Sequence, residues 1–326
     1  MKPPIVLLLA VWMAPAFAQD QLSDVLASAY RFAIEIDDGS TAQYIPALAS
    51  ADPDKFGLVV ITTDGAIYTQ GDVDHRFAIM SAAKPFTLSL LLEQKGSDFV
   101  LQNIGVEPTG LPFNSLAGIE RKKDEPLNPM VNAGAIAAVS LLRGDGKKSP
   151  WNSLSAHYND YAGAELSVME DVYESVGVSN YRNRALTYML QQEGRLQADP
   201  LQTLDVYNKQ SSVGVTAKQL AMMGATLANG GVNPGTGKRV IESQYVDEIL
   251  STMMLNGFYD ESGWWAYRVG LPAKSGVGGG VVAVVPGQMA IVGYSPRLSV
   301  SGNSVRAMAA IRYLSQELSL SVFNAP

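Results

Sequence analysis

The 326-residue sequence contains no cysteine. Disulfides, a thiolate nucleophile and cysteine-ligated zinc are therefore excluded. It has only two histidines, His75 and His157. A histidine-rich metal site is excluded, and a histidine-centred triad would have to use one of these two. Basic residues are in deficit, 24 against 31 acidic, for a net charge of −7. A nucleic-acid surface, which needs a basic stripe, is not expected. Long apolar runs are also missing after the first eighteen residues, so no membrane span is expected beyond them. What remains is material for a core. The sequence is 47% hydrophobic and 17% charged, over a length that fits one large domain or two modest ones. It is neither disordered nor fibrous in composition.

The first eighteen residues form a separate object. Lys2 is their only charge, an apolar stretch runs from Ile5 to Trp12, and the segment closes at Ala16-Phe17-Ala18. A basic start, a short apolar centre and an A-x-A site make a secretory signal peptide, 1–18. A membrane anchor fits worse, because a span needs ~20 apolar residues and Pro15 interrupts this one. The expected location is periplasmic or secreted, and the lack of cysteine suits an oxidising compartment.

Phe56 to Thr63 reads as a strand, Asp64-Gly65 as a hairpin turn, and Ala66 to Gln70 as the return strand. Phe77 to Met80 reads as a short edge strand or a lead-in to a helix from Ser81 to about Glu93. Pro85 is tolerated there because it falls in the first turn. Further helices are expected at Asn132 to Leu142, Arg182 to Gln192 and Thr216 to Asn229, with Gly144 to Pro150 as a polar loop. Strands are expected again at Tyr267 to Leu271, Gly280 to Val285 and Met289 to Tyr294, before a last helix from about Gly302 to Leu318. Short successive turns favour antiparallel pairing. The expected fold is α/β: a mainly antiparallel sheet from about 19–80 and 240–326, with a helical region, 81–239, inserted between. Together these make a single catalytic domain, 19–326.

Ser81-Ala82-Ala83-Lys84 is the sharpest chemical feature. Residues i and i+3 share a helix face. At a helix start a serine hydroxyl lies near free backbone N–H groups, which favour a developing anion. A desolvated, neutral lysine one turn on can take the hydroxyl proton, so a serine becomes a nucleophile without histidine. Alone, S-x-x-K also fits a capping serine beside a solvated lysine. A second feature, Lys274-Ser275-Gly276, follows the helical insert and leads into Val277 and a run of glycines. S-x-x-K followed by K-[ST]-G is the pattern of penicillin-binding proteins and serine β-lactamases. The backbone N–H groups of Ser81 and Val277 would then form an oxyanion hole.

Other features read as structural. Gly231 to Arg239 resembles a P-loop, but Val232 and Arg239 stand where glycine and Ser/Thr are required, so it is a turn. Gly278 to Ala283 leads into a strand rather than the helix that a dinucleotide fingerprint needs. His75 and His157 lie in polar surroundings and are expected at the surface, as is the acidic run Glu35 to Asp38. Trp264-Trp265 is expected to pack in the core or at a rim rather than to form a binding platform.

From Tyr44 to the C-terminus the protein resembles the serine-dependent glutaminases. Their fold is shared with β-lactamases and penicillin-binding proteins. The resemblance rests on Tyr44 to Ala49, Thr63-Asp64-Gly65, Gly71-Asp72, Ser81-x-x-Lys84, Phe113-Asn114-Ser115 and Pro126 to Ile136. It continues through Arg182 to Ala185, Leu204 to Tyr207, Gly257 to Gly263 and Val269 to Gly280. It implies that Ser81 attacks the side-chain amide of L-glutamine, with Lys84 as general base assisted by Tyr259. Ammonia leaves an acyl-enzyme, which water releases as glutamate. It further implies substrate contacts from Tyr44, Asn132, Asn183, Tyr207, Tyr259 and Val277, no metal or organic cofactor, and a homo-oligomer. Amides and phenols suit the task, because they can hydrogen-bond an amino acid's carboxylate and amine.

Two positions depart from the family. Met80 stands where a glutamine usually precedes the nucleophile. Val176 stands where a glutamate is the expected counter-charge for the substrate α-ammonium. The remedies open at this level are an inward swing of Glu174, weaker binding, or a substrate without a free α-amine. Gln210-Ser211-Ser212 replaces the usual Q-C-S and removes a thiol. The competing readings are an amidohydrolase acting on another γ-glutamyl or peptide-like amide, a silent ligand-binding protein, and a β-lactamase or transpeptidase. Intact Ser81, Lys84, Tyr259 and Lys274 weigh against the silent binder. The sequence Met130-Val131-Asn132, with no S-x-N or Y-x-N, weighs against the last.

Overall fold

The structure is a computed structural model and describes residues 19–108, 114–120, 127–145 and 149–324. The expected signal peptide 1–18 lies outside the described residues, as do Phe113, Pro126 and the middle of the Gly144 to Pro150 loop.

Two antiparallel sheets organise the protein. The larger uses β1 (Gly57–Thr62), β2 (Ile67–Gly71), β6 (Ala273–Ser275), β7 (Gly280–Val285) and β8 (Met289–Tyr294), in the order β2-β1-β8-β7-β6. The smaller uses β3 (Phe77–Ala78), β4 (Ser167–Val168) and β5 (Val213–Val215), in the order β3-β5-β4. β1 pairs with its hairpin partner on one side and with β8 on the other, in the register Val59↔Val292. Strands from the two ends of the sequence thus make one sheet, as expected.

The central strands read as unbroken apolar runs because both faces are covered. Leu58 and Val60 of β1, Val281 and Ala283 of β7 and Ile291 of β8 face one layer. That layer is made by the Gln19–Ile34 and Val305–Glu317 helices, which also pack on each other. Val59, Ile61, Val282, Val284, Ala290 and Val292 face the other layer. There the Ala217–Ala228 helix lies directly on β1, β7 and β8. That helix starts with a capping box, Thr216 with Gln219, which satisfies two otherwise orphaned donors.

Three expectations are corrected. The segment assigned to sheet from residue 19 opens with a helix, Gln19–Ile34, whose Leu22, Leu26, Ala29 and Ala33 form a buried stripe at helical spacing. The segment after 240 also holds the helices Val246–Asn256 and Ser262–Arg268, while the insert itself holds β4 and β5. The strand expected at Tyr267 to Leu271 is the end of a helix followed by an exit turn. Gly270 adopts φ +66, and buried Trp265 stacks on Phe258 at 4.0 Å and donates its indole N–H to Leu271 O at 2.8 Å. Aromatic packing overrides the local strand pattern here. Other helices fall where expected, at Lys84–Lys95, Asn132–Leu141, Tyr181–Gln192 and Val305–Glu317. Trp265 is core, and the Glu35 to Asp38 run lies at the surface.

Candidate active site

Ser81 is the second residue of a 3-10 turn, Met80–Ala83, that runs straight into the Lys84–Lys95 helix. Its amide therefore belongs to the first turn, where N–H groups have no partner within the helix. Met80, immediately before it, has φ +48. A non-glycine residue held there costs on the order of 1–3 kcal/mol, and such strain gathers at functional sites. The turn is held from below. Thr87 lies 2.6 Å from the Tyr158 hydroxyl and donates to Gln210 at 2.8 Å, all in the interior.

Lys84 is buried, 2% exposed. Burial alone pulls its pKa down to about 7, because a low-dielectric site disfavours the charged form. Its nitrogen donates to Met130 O at 3.2 Å and to Asn132 Oδ1 at 2.8 Å. A neutral amine has two N–H bonds and one lone pair. With both N–H bonds spent on acceptors, the lone pair remains to accept a proton. Asn132 passes the connection on, donating through Nδ2 to Asn183 Oδ1 at 3.0 Å. Asn183 is fixed in turn by the Asn180 cap, which accepts its backbone N–H at 3.2 Å.

The Lys274-Ser275-Gly276 segment ends β6 beside this turn. A Cβ on Gly276 would lie 2.5 Å from Ile79 O and 3.3 Å from Ser81 N, so only glycine permits this approach. Gly278 is pressed more closely still on Ala78 O. Val277 lies between them and lines the same cavity as Ser81. Lys274 is fully buried and donates to Gly257 O at 2.9 Å and Ser275 O at 2.7 Å. Burial first, then the neighbouring Lys84, hold its pKa well below the ordinary lysine value. Its nitrogen lies 4.2 Å from the centroid of the Tyr259 ring.

Tyr259 also adopts a left-handed backbone, φ +55. Its hydroxyl donates to Ser275 O at 3.3 Å and is hydrogen-bonded to Ser81. Burial raises its pKa, partly offset by those two partners, so the phenol keeps its proton at neutral pH. Asn303, which no motif singles out, ties this corner together. It accepts from Ser275 Oγ at 2.6 Å and donates to Phe258 O at 3.3 Å and to Glu261.

Above the nucleophile opens a cavity of about 180 Å³. Tyr44, Asn132, Asn183, Tyr207 and Val277 all line it with Ser81. Lys84 and Tyr259 sit just behind this lining, so the structure brings every expected site residue together. Tyr44 is 61% exposed at the surface end, whereas Tyr207 is buried. The Tyr207 phenol is shifted upward, chiefly by burial. Asn114, Ser179, Asn180, Arg182 and Ser211 also line the cavity. Asn114, Arg182 and Ser211 lie inside motifs already noted, and their positions in those motifs are the signal by which they could have been found.

Val176 is in the wall and 3% exposed, packed with Met80 and Val277. Glu174 does not replace it. It sits two positions along the Glu170–Ser179 helix, roughly 200° around the axis, and is exposed. His75 is at the surface, but His157 is not. Polar neighbours in sequence suggest exposure, yet the ring is 8% exposed, 2.6 Å from Ser89 Oγ and edge-on to Tyr161. Among the described residues, no group of three or more His, Asp or Glu is placed to hold a metal, and no helix is long and apolar enough to cross a membrane.

Comparisons with known proteins agree with this geometry. The family model described as Glutaminase matches residues 39–323. A glutaminase of Colwellia psychrerythraea is 48% identical over 311 residues, covering 95% of this sequence and all of the relative. One from Mycobacterium ulcerans is 46% identical over 288 residues, covering 88% of this sequence and 90% of the relative. Among solved structures, the probable glutaminase ybaS matches with TM-score 0.92 and 42% identity, over 94% of this protein and 100% of that one. A probable glutaminase from Bacillus subtilis, complexed with 6-diazo-5-oxo-L-norleucine, matches with TM-score 0.82 and 30% identity, over 95% and 98%. The two-sheet frame is the β-lactamase-like fold of these neighbours. A serine, a buried lysine and a K-S-G strand end converge on that frame, and nearly half the residues match over almost the full length: the chain belongs to the glutaminase family.

Proposed function

We infer that the glutaminase reaction, hydrolysis of the glutamine side-chain amide to glutamate and ammonia, runs in this protein through an acyl-enzyme on Ser81. The observation that carries this is the state of Lys84: buried, shifted to about 7, with both N–H bonds already given to Met130 O and Asn132 Oδ1. Such an amine is a base by construction. Lys84 takes the Ser81 proton as Oγ attacks the amide carbon. The oxyanion forms against the N–H groups of Ser81 and Val277. The Tyr259 phenol, bonded to Ser81, hands a proton to the departing nitrogen and recovers one from Lys84. Ammonia leaves, water enters, and Lys84 repeats its role to release the acid and restore Ser81. Tyr44, Asn132, Asn183 and Tyr207 hold the rest of the substrate through amides and phenols.

The test is ammonia release from L-glutamine by the purified enzyme and by Ser81→Ala and Lys84→Met. Both variants should lose at least about 10³-fold in kcat. 6-Diazo-5-oxo-L-norleucine should label the Ser81 peptide in the parent enzyme only. Full activity in Ser81→Ala would sink the assignment.

We also propose that residues 1–18 direct export and are removed, and that the enzyme works as a homo-oligomer in the periplasm or outside the cell. The N-terminal pattern supports the first reading, and family resemblance supports the second. A secreted product beginning at Gln19, and a sedimentation mass above that of the monomer, are the expected results.

A further inference from the structure

The lining of the cavity contains no carboxylate among the described residues. Its polar groups are amides, hydroxyls and phenols, and its one charged member is the Arg182 guanidinium. A linear amide whose reacting end meets Ser81 presents its other end to the helices Glu170–Ser179 and Tyr181–Gln192, which supply Val176, Ser179, Asn180, Arg182 and Asn183. There Arg182, Asn183 and the phenols suit a carboxylate. No carboxylate among the described residues lines that end to neutralise an ammonium. Val176 is apolar, and Glu174 is exposed on the far side of its helix. Asp205, on the neighbouring helix, is committed to the Tyr173 hydroxyl at 2.5 Å and to Lys209 at 2.8 Å.

The carbonyls at the end of the Val176 helix are also committed. Ser175 O accepts from Ser179 Oγ at 2.6 Å, Val176 O from Asn180 N at 3.1 Å, and Gly177 O from Arg184. A cationic nitrogen entering this end loses its water and gains no counter-charge, which is the unfavourable case for any buried ion. A neutral nitrogen has no such cost.

Resting on the Ser81 reading above, we propose that this enzyme also acts on α-N-acylated glutamine, the amide with a free α-carboxylate and an uncharged α-nitrogen, and that Val176 determines this breadth. The bonds made and broken are those of the glutamine reaction. The carbon–nitrogen bond of the γ-carboxamide breaks, the acyl group passes to Ser81 Oγ and then to water, ammonia takes the proton, and the α-nitrogen takes no part. The acyl cap leaves the cavity past Tyr44, which is 61% exposed.

The experiment compares kcat/KM for L-glutamine and N-acetyl-L-glutamine in the purified enzyme, by ammonia release, near neutral pH and again near pH 10. The acetylated substrate is expected to be at least as good as glutamine near neutrality. The ratio should move toward glutamine by about threefold or more at high pH, as glutamine's α-amine loses its charge. Val176→Glu should move the ratio toward glutamine by about tenfold or more near neutrality. A parent preference for glutamine above about tenfold, or a ratio that ignores both pH and the substitution, overturns the proposal. If Val176→Glu does not fold, the pH dependence of the parent enzyme decides alone. The underlying Ser81 reading fails separately: release of ammonia from glutamine would survive in Ser81→Ala.

Discussion

The Lys84 nitrogen lies 2.8 Å from Asn132 Oδ1, and that one contact joins the proton-accepting group to the substrate-holding amides. Asn132 spends its oxygen on the base and its Nδ2 on Asn183. Asn132→Asp would put a carboxylate at that distance. A negative neighbour favours the charged lysine, so the pKa of Lys84 rises and the rising limb of kcat/KM against pH moves upward by about one unit or more. Asn132→Ala should cost about 10²–10⁴ in kcat/KM without moving the limb upward. Rate profiles from pH 5 to 10 would distinguish the two.

The parent profile follows from burial. Lys84 is charged below about 7 and is a base only above it. Activity should therefore fall about tenfold per unit as pH drops below that point. A flat profile down to pH 5 would place the proton acceptor elsewhere.

His157 gives the fold its own acid sensitivity. Burial holds its pKa down to about 4, opposed by a smaller raising effect of Asp160 and reinforced by a smaller lowering effect of Lys238. The unfolded polypeptide binds the proton more readily, so stability is complete above about pH 6.5 and is lost as pH falls toward 4. The loss amounts to roughly 3 kcal/mol for this group. Thermal denaturation between pH 7 and 4 should show a smaller slope in His157→Gln than in the parent.

Gly276→Ala tests the approach of the K-S-G segment to the nucleophile. Its Cβ would meet Ile79 O at 2.5 Å and Ala82 N at 3.0 Å, both backbone atoms that cannot swing aside. The expected stability cost is about 1–3 kcal/mol. Displacing Ser81 relative to Val277 should cost about 10² or more in kcat. Differential scanning fluorimetry and steady-state kinetics give the two numbers separately.

The central sheet is legible in the sequence because both faces of β1, β7 and β8 are covered. That gives unbroken apolar runs, with Asp64-Gly65 marking the hairpin turn after β1. Ser81 and Lys84 are legible because they are three residues apart on one turn, and a local spacing survives without the fold. Asn303 is not legible. Its partners, Ser275, Phe258 and Glu261, come from other elements and include a backbone carbonyl. The acceptor role of Met130 is hidden for the same reason, since any residue type supplies a carbonyl. The Gln19–Ile34 helix has a readable stripe, but its apolar residues are small or widely spaced between Asp, Ser and Arg. The burial of His157 is hidden because its immediate neighbours in sequence are polar, while its neighbours in space are Ser89 and Tyr161.

The pairing of β1 with β8 governs the order of assembly. β1 forms its hairpin with β2 locally, but its other edge has no covering strand until residues 289–294 exist. The Val305–Glu317 helix, which packs on β8, comes later still. Closing so long a loop is slow, and a nascent polypeptide stopped before residue 289 exposes the apolar edge of β1 to its neighbours. Synthesis must therefore pass residue 294 before the sheet can close, and a product truncated ahead of β8 should aggregate rather than persist as a smaller folded protein.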